Sequence, residues 1–280
     1  MKLRQRLGII YYRTKFKLLS AVSKKKAAEI AIDLFCTPQF RHRKPLPKNF
    51  IDAEKLQFNI HGETVQGYRW NKGGHRKVLI AHGFNSTVSG FDRYIKPLVN
   101  KGYEVLAFDA PAHGRSTGTK INAAIYKDMI IMINEQFGPL KSFMAHSFGG
   151  LAVSLALEDI QHDNDHRLVL VAPATESKAA IDFFFSFLKL NDAVRKEFDE
   201  MIYQVRQKPS GWYSVSRAIN NIHAKVKWYH DEDDDTTPWA DAKKVKEKNH
   251  PHIDFVVTKG LGHRKIYRDE KVFESIIDFL

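Results

Sequence analysis

Short apolar runs alternate with longer segments of helical periodicity through most of this chain, and this alternation limits the folds open to it. The runs are Lys77–Ala81, Glu104–Phe108, Ser142–Ala145, Leu168–Ala172, Val226–His230 and Ile253–Val257. Runs that are apolar at successive positions are typical of strands buried on both faces, as in a parallel sheet covered by helices. The pattern predicts an α/β fold with a mostly parallel, doubly wound sheet.

Two segments lie outside this alternation. The first 50 residues hold 13 Lys and Arg side chains and two acidic ones, and residues 14–35 have the periodicity of one amphipathic helix. Residues 174–222 carry helical patterns without a strand, and aromatic side chains crowd residues 181–190. We therefore expect a basic helical N-terminal arm at 1–50, a sheet-forming core at 51–173 and 223–280, and a helical cap at 174–222.

The distribution of charge bears on partners and location. The net charge of +12 belongs almost entirely to the arm, so a nucleic-acid groove across the main body is not expected. The arm could dock on its own chain or make weak peripheral contact with anionic lipid, and both alternatives stay open. The single cysteine, Cys36, and the lack of a signal-peptide core or a bilayer-length apolar stretch predict a cytoplasmic location.

The stretch Ala145-His146-Ser147-Phe148-Gly149 joins a predicted strand directly to a predicted helix. So tight a reversal needs very small residues around its tip, and Ala145 and Gly149 meet that need. The pattern predicts a strained turn that presents the Ser147 hydroxyl at the N-terminus of a helix. The alternative is that Ser147 only caps the helix.

A serine hydroxyl needs a base and a group that orients the base before it can act as a nucleophile. Two later loops supply candidates at the carboxyl ends of predicted strands, where open parallel sheets place their active sites. Residues 230–238 carry a histidine and five consecutive acidic side chains, and residues 258–266 carry His263 after a Gly-Leu-Gly turn. The order along the chain is serine, acid, histidine.

From about residue 54 onward these motifs resemble those of the α/β-hydrolases. The resemblance implies that Asp234 is the acid, that His263 is the base, and that the backbone N–H groups of Phe84 and Phe148 form an oxyanion hole. The turn at His82-Gly83 and the stretch from Asp109 to Ser116 match further motifs of that family, with His113 at a position where glycine is common.

Several assignments in this set have alternatives. Asp233 or Asp235 could orient the histidine instead of Asp234, and the five acids could bind a divalent cation, although a solvated acidic loop is the preferred interpretation. The predicted substrate pocket includes His146 beside the nucleophile. It also includes Phe184 and Phe187 in the aromatic helix of the cap, which could instead pack on the core.

The leading hypothesis is a serine hydrolase that cleaves a carboxylic ester or thioester with an apolar acyl part through an acyl-enzyme on Ser147. Such chemistry needs no cofactor and no metal, and its partner is a small-molecule substrate. Other serine chemistry, as in an aminopeptidase or a carbon–carbon bond hydrolase, is the alternative. A non-catalytic binding protein that keeps the fold is a third hypothesis. The oligomeric state is left open.

Overall fold

A computed structural model describes residues 3–41 and 45–280, and in these residues eight strands form one sheet. The strands are β1 (Glu54–Ile60), β2 (Glu63–Trp70), β3 (Arg76–Ala81), β4 (Tyr103–Phe108), β5 (Ser142–His146), β6 (Arg167–Val171), β7 (Lys225–Asp231) and β8 (Ile253–Thr258). Their order is β1-β2-β4-β3-β5-β6-β7-β8. The pairs β1–β2 and β2–β4 are antiparallel and the others are parallel, which confirms the predicted mostly parallel sheet.

Helices connect the parallel strands, as the alternation predicts. The helices are α1 (Leu3–Val22), α2 (Lys24–Cys36), α3 (Lys48–Ile51), α4 (Asp92–Asn100), α5 (Ala123–Phe137), α6 (Phe148–Leu157), α7 (Ser177–Leu188), α8 (Asp192–Arg206), α9 (Val215–Ala218), α10 (Trp239–Lys246), α11 (Gly262–Lys265) and α12 (Glu270–Phe279). Short 3₁₀ turns occupy Val88–Phe91, Ser210–Trp212, Ile219–Asn221 and Ile266–Arg268.

The chain forms two compact units. The sheet unit comprises Pro38–Thr175 and Val215–Leu280, and the helical unit comprises the chain up to Thr37 together with Glu176–Ser214. Residues of the predicted N-terminal arm and of the predicted cap therefore belong to the same unit. Residues 1, 2 and 42–44 of the predicted arm lie outside the described residues.

Alternation along the central strands places apolar side chains on both faces of the sheet. On β3, Val78 and Ile80 belong to a core that includes Tyr94 of α4 and Ile276 of α12. Leu79, between them, is equally buried. Because both faces are covered, the sheet can offer only its edges and the ends of its strands to a ligand. The carboxyl ends of β5, β7 and β8 carry the predicted site residues.

The helical unit begins with two helices rather than the single helix predicted over residues 14–35, and that prediction is wrong. The chain breaks at Ser23, which has extended backbone and whose hydroxyl accepts a hydrogen bond of 3.2 Å from the N–H of Lys26. This capping hydrogen bond starts α2 afresh. Apolar residues of α1 and α2 form a core with those of α7 and α8, including Phe16, Ala28, Phe185 and Phe198. Within the described residues, no helix is both long enough and apolar enough to cross a bilayer.

Candidate active site

Ser147 occupies the turn between β5 and α6 with a backbone conformation that serine rarely adopts. Its φ is +55° and its ψ is −123°, and its side chain is 7% exposed. A non-glycine residue held in such a region costs about 1–3 kcal/mol. Ser147 stands at the N-cap position of α6, but its hydroxyl makes no capping hydrogen bond to the helix. Capping alone therefore does not explain this serine.

Small residues around Ser147 are required by the close approach of neighbouring backbone. A Cβ atom added to Gly83 would lie 2.8 Å from the Cβ of Ser147, and one added to Gly149 would lie 2.6 Å from the carbonyl oxygen of His82. Both separations are shorter than carbon and oxygen atoms tolerate. The two glycines thus allow the turn after β3 to lie directly against the serine.

A chain of hydrogen bonds links the three residues proposed from the sequence. The Oγ of Ser147 lies 2.9 Å from Nε2 of His263, and Nδ1 of His263 lies 2.9 Å from Oδ2 of Asp234. All three side chains are at most 7% exposed. The residues follow β5, β7 and β8, so the carboxyl ends of parallel strands bring together groups that are 116 residues apart in the case of Ser147 and His263.

The environment of Asp234 keeps its carboxyl group charged. Burial acts to raise its pKa. However, the hydrogen bond and charge of His263, with the backbone N–H groups of Thr236 and Thr237, hold the pKa of Asp234 below its usual range. The hydroxyl of Thr237 also donates to Oδ2 of Asp234 at 2.8 Å. An ionised Asp234 accepts a hydrogen bond from the N–H at Nδ1 of His263, which leaves Nε2 as an acceptor facing Ser147.

The other carboxylates of the acidic stretch have separate partners. Asp231 accepts hydrogen bonds from the hydroxyl of Thr258 at 2.7 Å and the N–H of Leu261 at 3.0 Å. Asp233 accepts from the N–H of Gly260 at 3.0 Å. These contacts hold the loop that precedes His263. Asp235 accepts from the adjacent hydroxyl of Thr236.

The two amides predicted for the oxyanion hole belong to Phe84, in the turn after β3, and to Phe148, the first residue of α6. The rings of Phe84 and Phe148 are in edge contact, with centroids 5.6 Å apart. The loop of Phe84 is fixed by His82, whose Nδ1 donates to the carbonyl of Gly83 at 2.8 Å and whose Nε2 accepts from the N–H of Ala110 at 3.0 Å. Burial lowers the pKa of His82 to about 4, so the ring stays neutral and keeps this pair of hydrogen bonds.

Asp109 ties the loop after β4 to the start of the 3₁₀ turn at Val88. Its carboxylate accepts hydrogen bonds from the N–H groups of Val88 at 3.1 Å and Arg115 at 3.0 Å. A Cβ atom on Gly114 would lie 2.1 Å from Oδ2 of Asp109, and Gly114 has φ +46°. His113 makes a hydrogen bond within the same loop, from its Nδ1 to the carbonyl of Pro111 at 2.9 Å.

The residues predicted for a substrate pocket lie in different surroundings. The buried ring of His146 contacts the rings of His263 and Tyr267, and its Nε2 donates to the carbonyl of His263 at 3.1 Å. Its structural role is therefore to support His263, and its contact with a substrate stays a prediction. Phe184 packs edge-on against Phe35 in the helical unit, and Phe187 is 40% exposed there. Their role in a pocket also stays a prediction.

Sequence reasoning missed two residues that shape this site. Thr237 contacts Asp234, the Nδ1 of His263 at 3.1 Å and the carbonyl of Ala172 at 3.2 Å. Asp231 was assigned no role, although it holds the loop of the histidine. A signal for Thr237 existed, since an aspartate followed by threonines two and three residues later is typical of side-chain-to-backbone turns.

Comparison with known proteins identifies the class to which this fold and site belong. The family model described as serine aminopeptidase, S33, matches residues 74–264. The chain belongs to this family of α/β-hydrolases, which confirms the resemblance noted from its motifs. A curated relative from Mycoplasma pneumoniae, named "Putative esterase/lipase 3", is 24% identical over 133 residues. That match covers 47% of this chain and 47% of the relative, so the chain spans about half the length of that relative.

Solved structures show the same fold at low sequence identity. An esterase from Pyrococcus furiosus is 19% identical, with a TM-score of 0.64 over 88% of this chain and 97% of that one. Est1E from Butyrivibrio proteoclasticus, solved with ferulic acid bound, is 18% identical, with a TM-score of 0.62 over 80% of this chain and 97% of the other.

Proposed function

We propose that this protein is a serine hydrolase that cleaves a carboxylic ester or thioester with an apolar acyl part. The observation that carries the proposal is the hydrogen-bond chain from Ser147 through His263 to the charged Asp234. It gives the serine both of the helpers that nucleophilic catalysis requires. The conformation of Ser147 supports the proposal, because strained backbone is concentrated at functional sites and this serine does not cap its helix.

The reaction follows from the placement of these atoms. Nε2 of His263 takes the proton of Ser147 as Oγ forms a bond to the carbonyl carbon of the substrate. Asp234 stabilises the imidazolium that results. The bond to the leaving alcohol or thiol then breaks, and His263 returns the proton to it. In the second half of the reaction, His263 takes a proton from water as the water oxygen attacks the acyl carbon. The bond from that carbon to Oγ then breaks, the acid leaves, and His263 returns the proton to Ser147.

The developing oxyanion would be held by the backbone N–H groups of Phe84 and Phe148. Neither N–H group donates a hydrogen bond in the part of the chain that the structure describes, so both are available to bind a ligand. Loss of one such donor typically raises the barrier by about 3–4 kcal/mol. The Phe84 amide belongs to the turn after β3 and the Phe148 amide to the first residue of α6. Gly83 and Gly149 allow that turn to lie against Ser147.

The choice of an ester rests on the relatives and on composition. The Mycoplasma pneumoniae relative and the Pyrococcus furiosus structure are both named as esterases, the former also as a lipase. Phe184 and Phe187 of the aromatic helix are proposed to contact the acyl part. The cytoplasmic location expected from the single cysteine is part of the same proposal.

Aminopeptidase activity is the second candidate, because the family that matches the chain takes its name from a serine aminopeptidase. The triad chemistry is the same for an amide as for an ester, so the site does not separate them. The substrate pocket decides between the two activities.

The test combines a covalent probe with a panel of substrates. We expect a fluorophosphonate probe to label the folded wild-type protein and to leave Ser147→Ala unlabelled. Nitrophenyl esters of increasing acyl length, acyl-thioesters and aminoacyl anilides are then compared by kcat/KM. The proposal expects esters or thioesters with longer acyl chains to react fastest.

A matched control variant makes the labelling decisive. Ser154, which is also buried and donates to the carbonyl of Gly150 in α6, offers Ser154→Ala as a matched variant that should label like wild type. Labelling that persists in Ser147→Ala would show that another serine reacts. A folded wild-type protein that does not label would remove the hydrolase proposal, and fastest reaction with the anilides would favour the peptidase.

A further inference from the structure

Helix α1 has an exposed apolar face as well as the face that packs inside the helical unit. The exposed side chains are Leu7, Ile10, Tyr11, Leu18 and Val22, which are 57–87% exposed. Their spacing places them along one side of the helix, and we call this set the apolar stripe. Phe16, on the opposite side, is 1% exposed. Several exposed apolar residues on one face of a helix indicate an interaction site, unlike single exposed apolar residues.

A basic cleft lies beside this stripe. Its volume is about 330 Å³, and its polar lining is Arg13, Thr14, Lys17, Ser20, Lys189 and Asn191. Arg13 is held in place because its guanidinium donates two hydrogen bonds, of 3.0 and 2.7 Å, to the carbonyl of Phe187. Thr14, which lines the cleft, lies one helical turn after Ile10 and one turn before Leu18. The edge of the cleft therefore adjoins the stripe. Three cations with hydroxyl and amide groups form a suitable site for a phosphate group.

The charged residues of the helix that carries the stripe have one sign. Helix α1 contains five Lys and Arg residues and no acidic residue. Lys24 and Lys25 follow Val22 at the end of the stripe, and both are exposed. An exposed apolar helix face bordered by cations is the pattern of helices that lie in the interface of an anionic membrane.

We propose that α1 binds the surface of a bilayer that contains anionic phospholipid. The apolar stripe enters the boundary between headgroups and acyl chains, and the basic cleft holds a lipid phosphate. The cations favour this occupant over a second copy of the chain, because two copies would bring the basic helices together. This inference goes beyond the proposed hydrolase activity and does not depend on it.

Flotation of the full chain with vesicles tests the proposal. Vesicles of phosphatidylcholine are compared with vesicles of phosphatidylcholine and phosphatidylglycerol. We expect the wild-type protein to float with the second kind, and added salt should weaken this binding. The double variant Ile10→Ser, Leu18→Ser should bind at least roughly tenfold more weakly, because each side chain loses its apolar burial in the membrane.

Two single variants test the cleft. Lys17→Gln and Lys189→Gln should each reduce binding about fivefold, the effect of removing one cation from an anionic surface. The matched control is Val205→Ser in α8. Val205 is 62% exposed in the same unit but lies outside the stripe, so this change should leave flotation unchanged. Circular dichroism and urea unfolding verify that each variant folds.

Three outcomes would overturn the proposal. The first is failure of the wild-type protein to float with anionic vesicles at low salt. The second is flotation of the Ile10→Ser, Leu18→Ser variant at the level of wild type. The third is a dimer in light scattering that this variant dissociates, because a second copy would then cover the stripe. Fluorophosphonate labelling is measured on the same samples and should stay constant in all of them, which separates this test from that of the hydrolase.

Discussion

At the scale of single residues, Ser147 combines a strained backbone with the proposed nucleophile. Its φ of +55° is a conformation that glycine adopts freely and that a Cβ atom disfavours. The backbone of Gly83 lies so close to Ser147 that a Cβ atom on residue 83 would collide with the Cβ of the serine. The geometry that exposes the hydroxyl is therefore maintained at a cost in stability.

This cost predicts an order of stability for two variants that lack the Ser147 hydroxyl. Ser147→Gly and Ser147→Ala both remove the hydroxyl, but only the alanine variant keeps a Cβ at the strained position. We expect the glycine variant to have a free energy of unfolding about 1 kcal/mol larger, after the entropy that glycine gains in the unfolded chain is subtracted. Urea unfolding of the two variants gives the difference. An alanine variant equal to or more stable than the glycine variant would contradict the strain.

At the scale of elements, the loop after β7 contains carboxylates with different tasks. Asp234 orients His263, Asp231 holds the loop before His263, and Asp235 contacts only its neighbour Thr236 among the hydrogen bonds described above. For Asp231, burial raises the pKa, but hydrogen bonds from Thr258 and from backbone N–H groups outweigh it and hold the pKa below its usual range. The loop thus depends on Asp231 as an ionised acceptor.

A series of three isosteric variants separates these tasks. Asp234→Asn should lower kcat on an activated ester about 10⁴-fold, because the amide favours the wrong tautomer of the histidine. Asp231→Asn should lower stability by about 1–3 kcal/mol, because an amide group then faces backbone donors, and should lower kcat less severely. Asp235→Asn is the control, with near-normal turnover and stability. Near-normal turnover of Asp234→Asn would move the role of the acid to a neighbour.

The elements of the sheet unit could be predicted from the sequence because each buried strand is a continuous apolar run. The order of serine, acid and histidine along the chain also located the site, since these residues follow strands. The break at Ser23 was missed because the residues after it are Lys24, Lys25 and Lys26, without the acidic residue that completes a capping box. The packing of α1 and α2 with α7 and α8 depends on contacts between distant segments, which local periodicity does not reveal.

At the scale of the whole molecule, buried histidines connect stability to pH. Burial lowers the pKa of His82 to about 4 and the pKa values of His113 and His146 to about 3. In the unfolded chain the pKa of histidine is about 6.5, so the unfolded state binds more protons at any pH between these values. The stability that these neutral histidines contribute is therefore fully present above about pH 6.5. It is lost as the pH falls toward their pKa values in the folded protein.

The expected loss of stability below pH 6.5 is measurable by urea unfolding at a series of pH values. Each of the three histidines can contribute up to about 1.4 kcal/mol per pH unit below pH 6.5. A free energy of unfolding that stays constant between about pH 6.5 and pH 5 would contradict this account. His82→Asn, which keeps a short polar side chain, should give a shallower slope than wild type.

The proposed catalytic groups follow three different strands, and this has a consequence for how the proposed activity would arise. Ser147, Asp234 and His263 follow β5, β7 and β8, and β6 lies between the first two of these strands in the sheet. No fragment of the chain that lacks one of these strands contains a complete site. The proposed reaction with a phosphonate would therefore depend on the finished sheet, and it would report that the last strand has been added in register.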